Sequence, residues 1–141
     1  MPVTEALESR RGAPHRIENP TNILVVEPDV FLRHAILQSL KRDGYAITLL
    51  ASLPEAVNHL RSHATPVDIL LASIDAEASA ATGFELCHEF IARNRSTKVL
   101  IVSNRLTVRK LAEAARWTAM QKPFTGEKLR SKVKFIAAMP V

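Results

Sequence analysis

The sequence predicts an α/β fold, a five-stranded parallel sheet with helices on both faces. Two observations carry that prediction. Short, wholly apolar runs, the mark of strands buried on both sides, alternate with segments whose apolar residues recur at helical spacing. The alternation repeats five times from Asn22 onward, which is the pattern of successive strand-helix units in one sheet.

The first run, Ile23-Leu24-Val25-Val26, precedes a segment with Leu32, Ile36 and Leu40 four apart, and Gly44 stands where it can end that helix. The second, Ala46 to Leu50, leads into Ser52-Leu53-Pro54-Glu55, the spacing of a capping box with proline in the first turn. The helix that follows offers Val57 and Leu60. The third run is Ile69-Leu70-Leu71-Ala72, and its helix is expected to start after Gly83, with Phe84, Cys87, Phe90 and Ile91 on one side. The fourth is Val99 to Val102, followed by Val108, Leu111 and Ala115. A shorter strand around Ala119-Met120-Gln121 precedes Pro123 and a last helix with Leu129, Val133 and Ile136 as its stripe.

With 141 residues, 47% of them apolar, the chain suits one core of ordinary size and is not a disordered polymer. Residues 1–21, with Pro2, Gly12, Pro14 and Pro20 among mixed charges, are expected to be a flexible tail, and 22–141 the folded domain. No apolar run reaches the roughly 18 residues of a membrane span, and the N-terminus lacks the apolar core of a secretory signal. Cys87 alone builds no disulfide framework, so a cytoplasmic setting is expected. The net charge of +5 is unevenly spread: residues 104–141 hold nine basic and two acidic side chains, against seven and nine in 22–103. One face of the molecule should be basic.

Three strands end in the same way, with four apolar residues and then Glu27, Ser73 or Ser103. In a parallel sheet the carboxyl ends of the strands form the ligand crevice, so these side chains should converge. At this level the chain resembles the receiver domain of two-component response regulators, a flavodoxin-like (βα)5 fold, from Asn22 to Met139. The motifs that carry the resemblance are ILVVEPD (Ile23 to Asp29), DILLAS (Asp68 to Ser73), GFELC (Gly83 to Cys87), VLIVSN (Val99 to Asn104) and QKPFT (Gln121 to Thr125), in that order.

The resemblance implies a phosphotransfer centre in which two acids after the first strand bind magnesium and an aspartate after the third accepts phosphate. A hydroxyl after the fourth strand senses the phosphate, and a lysine before proline contacts it. Glu27 matches the first acid; Pro28 replaces the second, with Asp29 displaced by one. Ser73 replaces the acceptor, and Ser103 and Lys122 match the hydroxyl and the lysine. Ala119 stands at the switch position, where the family often has an aromatic ring, and Thr82 where it commonly has aspartate.

Phosphoryl transfer to a carboxylate needs an anionic oxygen nucleophile and a cation against the developing charge. A serine hydroxyl is a poor nucleophile without a neighbouring base, and Pro28 offers a hard cation only its carbonyl. An alternative stays open: Asp75 stands at the usual family separation from Gly83 and would serve as acceptor, with magnesium at Glu27, Asp29 and Asp75. The four-apolar-then-polar pattern and the interval from Asp68 favour Ser73 as the strand tip.

Plainer roles are open too. Glu27 and Asp29 suit a helix start, and Ser103 suits a strand end bonded to local backbone. His59 and His63 have zinc-ligand spacing but no third ligand, and Cys87 suits a core position. Arg109, Lys110, Arg116, Lys128, Arg130, Lys132 and Lys134 form the basic segment, with Lys128/Lys132 and Arg130/Lys134 as like charges four apart. An acidic partner would relieve that repulsion.

The sequence therefore points to a stand-alone, degenerate receiver, not an enzyme and without a cofactor. It would act as a phosphorylation-independent interaction module for a signalling protein such as a histidine kinase or output protein, or for a second copy. The first alternative is a functional Asp75 receiver with magnesium. The second is nucleic-acid association through the basic face, placed behind protein partners because no helix-turn-helix extension and few aromatic residues are present.

Overall fold

The computed structural model of the chain describes residues 20–62, 66–75 and 80–140. Its strands are β1 (Asn22–Val26), β2 (Ala46–Leu50), β3 (Ile69–Ser73), β4 (Lys98–Ser103) and β5 (Thr118–Gln121). Between and after them run α1 (Val30–Leu40), α2 (Leu53–Ser62), α3 (Ala80–Arg93), α4 (Leu106–Ala114) and α5 (Gly126–Ala137). The strands pair in parallel in the order β2-β1-β3-β4-β5, as the apolar runs predict. The chain leaves β1 toward one edge and returns to build toward the other, so its direction switches at β1 and β3. A crevice opens at such a switch point, beyond the carboxyl ends of those strands.

Alternation along each strand divides the core into two layers. Ile23, Val25, Ile69, Leu71, Leu100 and Val102 pack with Ile36 and Leu40 of α1 and with Leu129, Val133 and Ile136 of α5. Leu24, Val26, Leu70, Ala72, Val99 and Ile101 pack on the other face with residues of α2, α3 and α4, including Ala56, Cys87, Phe90 and Val108. Because both faces of β1, β3 and β4 are covered, these strands are apolar between their end residues.

Gly44 ends the first helical region as expected, at φ 85°, after a 3₁₀ turn over Lys41–Asp43. At α2, Ser52 Oγ accepts from the Glu55 N–H at 3.3 Å. The Glu55 carboxylate reaches the Ala51 N–H rather than that of Ser52, a near-reciprocal capping box.

Two expectations are corrected. Helix α3 begins at Ala80 rather than after Gly83. Gly83 lies inside it, and a Cβ there would stand 3.0 Å from Ile74 Cδ1, so the glycine allows close packing and does not break the helix. In α4 the buried pair is Val108 and Ala112, one turn apart, whereas Leu111 is 52% exposed. The expected tail, apart from Pro20 and Thr21, lies outside the described residues, as does His63 of the candidate zinc pair.

Candidate functional site

Register builds the site. Val26 pairs with Ala72, so the next residues of the two strands, Glu27 and Ser73, come side by side at the mouth of the crevice. Glu27 is 2% exposed and Ser73 8%. A buried carboxylate must be satisfied, and Glu27 has three donors. The Ser73 hydroxyl donates to Oε1, the Lys122 ammonium donates to the same oxygen at 2.9 Å, and the Asp29 N–H donates to Oε2 at 2.9 Å. Lys122 also reaches Asp75 Oδ2 at 2.8 Å, so one ammonium group links two carboxylates. The Lys122-Pro123 peptide bond is cis.

Asp29 does not join this group through its side chain. Its Oδ1 accepts from the Phe31 and Leu32 N–H groups at 2.8 and 3.1 Å, which makes it the N-cap of α1. Pro28 leaves the turn with no acid, and the Arg33 guanidinium instead holds the carbonyls of Glu27 and Pro28 at 2.7 and 3.4 Å. Of the alternative magnesium set, Glu27 and Asp75 are bridged by the Lys122 ammonium and Asp29 Oδ1 caps α1. Among the described residues, no three His, Cys, Asp or Glu side chains gather into a metal-holding group.

The third strand tip stays apart. Ser103 is fully buried, and its hydroxyl accepts from the Arg105 N–H at 3.1 Å, a local turn. Its carbonyl accepts from the Lys122 N–H at 3.0 Å and from the Arg109 guanidinium at 2.9 Å, so Ser103 contributes through its backbone. Asp75 lies two residues beyond the tip of β3. Besides Lys122, its Oδ1 accepts from the Asn104 N–H at 3.3 Å, and its carbonyl accepts from Arg105 Nε at 3.0 Å. Ala119 sits in the edge strand opposite Ile101, half-buried.

Sequence reasoning singled out neither Arg33 nor Arg105, nor Asn104 as a donor. Arg33, four residues after the cap Asp29, and Arg105 with Arg109, four apart at the start of α4, were the available signals. Proximity to the strand tips gives those arginines their meaning.

The seven basic residues divide. Arg109 is held by the Ser103 carbonyl, and Arg130 forms a two-point pair with Asp43 at 2.9 and 3.0 Å, which holds the Asp43 carboxyl below its usual range. Lys110, Arg116, Lys128 and Lys134 are exposed and Lys132 half-exposed. On α5, Lys128, Lys132 and Phe135 fall roughly 140–160° around the axis from Arg130, on the side turned away from α1. Phe135 is 64% exposed there. Cys87 is buried between helix and sheet, and desolvation pushes its thiol up to about 12. Among the described residues, no helix is long and apolar enough to cross a membrane.

A family model described as response regulator receiver domain matches residues 23–134. Among solved structures, a response regulator from Thermotoga maritima superimposes with a TM-score of 0.74 at 18% identity, over 86% of this chain and 100% of that one. A response regulator receiver protein from Burkholderia phymatum gives 0.70 at 21%, over 86% and 98%. A chemotaxis response regulator of Vibrio cholerae gives 0.70 at 18%, over 84% and 99%. At these identities the likeness is one of fold. No curated protein matches the chain in sequence.

Proposed function

We propose that this chain, which belongs to the response regulator receiver domain family, has a degenerate phosphotransfer centre and acts as a phosphorylation-independent interaction module in signal transduction. The observation that carries the reading is the position of Ser73. It stands beside Glu27, where the two strand tips meet, and its proton is already committed to that carboxylate. A carboxylate nucleophile is missing from the tip. The glutamate that would help hold a cation is instead neutralised by Lys122.

Signalling would then run through surface recognition. Receiver domains interact with histidine kinases or output domains, and the side of α5 that carries Lys128, Lys132 and Phe135 has the charge for an acidic protein partner. A second copy fits that side less well, because a two-fold contact would bring the lysines against their own equivalents.

Magnesium titration followed by amide chemical shifts separates this reading from an Asp75 receiver. The expected result is no saturable site in the millimolar range. Saturable shifts at Glu27 and Asp75, lost in Asp75→Asn, would overturn it.

A further inference from the structure

We propose that the pole of the domain opposite the crevice binds the phosphate backbone of a nucleic-acid duplex. The surface uses no group of the crevice, so the inference stands independently of the preceding reading.

Topology assembles the pole. In a parallel sheet each helix runs back against the strands, so the helices all end beside the strands' amino ends, away from Glu27 and Ser73. Helix α1 ends in the turn that holds Lys41 and Arg42, and α2 has Arg61 in its last turn. Helix α3 ends at Arg93, with Arg95 two residues on, and α4 is followed by Arg116 in the left-handed region at φ 66°. Lys134 lies in the last turn of α5. All of these side chains are exposed. One cation per helix end is what the macrodipole favours, whereas α1 and α3 each supply two.

Most acids of this pole are already engaged. Asp43 takes the two-point bond from Arg130, Asp68 accepts from the Asn22 N–H at 2.8 Å, and Glu89 is shared by Arg61 and Arg93 at 2.8 and 3.4 Å. Glu113, exposed in the last turn of α4, offsets one cation. Among the described residues, the charged groups of Lys41, Arg42, Arg95, Arg116 and Lys134 make no hydrogen bond or ion pair.

Residue type and shape favour a duplex over an acidic protein. Arginine predominates over lysine here, and its planar fork matches a phosphate. Five strands at a spacing of about 4.8 Å span about 20 Å, and ~20 Å of duplex presents roughly twelve phosphate charges. Several cations can therefore be met at once. Exposed large apolar side chains occur at the α5 corner, Phe135 and Met139, but not at the ends of α1, α2 and α3. A protein interface needs an apolar core, whereas duplex interfaces are polar and positively charged. Backbone binding needs neither a recognition helix nor stacking rings, so the low aromatic content is no obstacle.

The test is fluorescence anisotropy of a labelled DNA duplex of about 20 base pairs, from about 50 to 200 mM salt, with an RNA duplex of the same length as second arm. Binding to either supports the proposal, and the tighter of the two identifies its source. Log K should fall against log salt with a slope of about −4, at roughly 0.9 per phosphate contact. Arg42→Gln/Arg95→Gln/Arg116→Gln should lose at least about tenfold in affinity and flatten that slope by about 2.7. Removing as many charges from the α4–α5 side, in Lys110→Gln/Lys128→Gln/Lys132→Gln, should cost less than about threefold.

Equal losses in the two variants would overturn the proposal. So would polyglutamate that competes as well as duplex charge for charge, which would mark an acidic protein surface instead. Amide shifts of the wild-type chain give a readout that needs no variant, and they should fall at 41–43, 93–98 and 115–118. Shifts confined to Glu27 and Ser73, or no binding at about 50 mM salt, would equally overturn it.

Discussion

At the crevice the charged groups are turned onto partners within the fold, whereas on the outer side of α5 the lysines are left facing solvent. Glu27 collects three donors and Lys122 two carboxylates, while Lys128 and Lys132 stand exposed or half-exposed four residues apart. Lysine serves in both regions. Their difference lies in desolvation: a buried carboxylate must be compensated within the fold, while an exposed lysine is compensated by water and remains available to a partner. On the proposed reading, the crevice is closed on itself and the outer side of α5 is left open for recognition.

Lys122→Ala should break this contrast most severely. It leaves Glu27, at 2% exposure, without its counter-charge, and the expected loss is about 3 kcal/mol in urea unfolding. A loss below about 1 kcal/mol would show that Glu27 is satisfied by Ser73 and the Asp29 N–H without it.

Ser73→Ala removes one neutral donor from the same carboxylate. The expected loss is about 1.5 kcal/mol, since a hydrogen bond to a charged group is deleted but two other donors remain. The order of the two variants matters more than either value, because the lysine carries the charge.

The Asp43–Arg130 pair is an intermediate case, partly exposed and remote from the crevice. Its carboxyl is held below the ordinary value of 3.8, chiefly by the hydrogen bond from Arg130. A depressed acid contributes stability that is complete above its unfolded pKa and is lost as pH falls through the folded one. Asp43→Asn should therefore flatten the loss of stability below about pH 4 and leave the crevice unchanged, as read by acid titration of unfolding.

The smallest effect is expected from Lys128→Ala, within about 0.5 kcal/mol and on the stabilising side if the repulsion from Lys132 is felt. A loss above 1 kcal/mol would mean that this side of α5 serves the fold rather than recognition.

How much of this was legible in the sequence follows the range of the interactions. Strands buried on both faces announce themselves as apolar runs, and α5 shows its stripe because Leu129, Val133 and Ile136 all face one layer. Gly44 declared its left-handed turn through its residue type. The start of α3 was hidden because Gly83 reads as a helix break by propensity, whereas in the structure it lies within the helix against Ile74. Leu111 was assigned inward by type, although the positions one turn apart at 108 and 112 occupy the core face.

At the site, the pairing of Glu27 with Ser73 followed from matched strand lengths. The bridge from Lys122 to Asp75 did not, since 47 residues separate the two and no periodicity connects them. Whether Asp29 caps a helix or faces a cation also depends on where one turn places its side chain, and the cap geometry decides it.

The most direct measurement is intact mass after incubation of the wild-type chain with acetyl phosphate and magnesium. The account predicts an unmodified mass, because the strand tip carries a hydroxyl bound to Glu27 and Asp75 is held by Lys122. An adduct of one phosphoryl group that disappears in Asp75→Asn would contradict it.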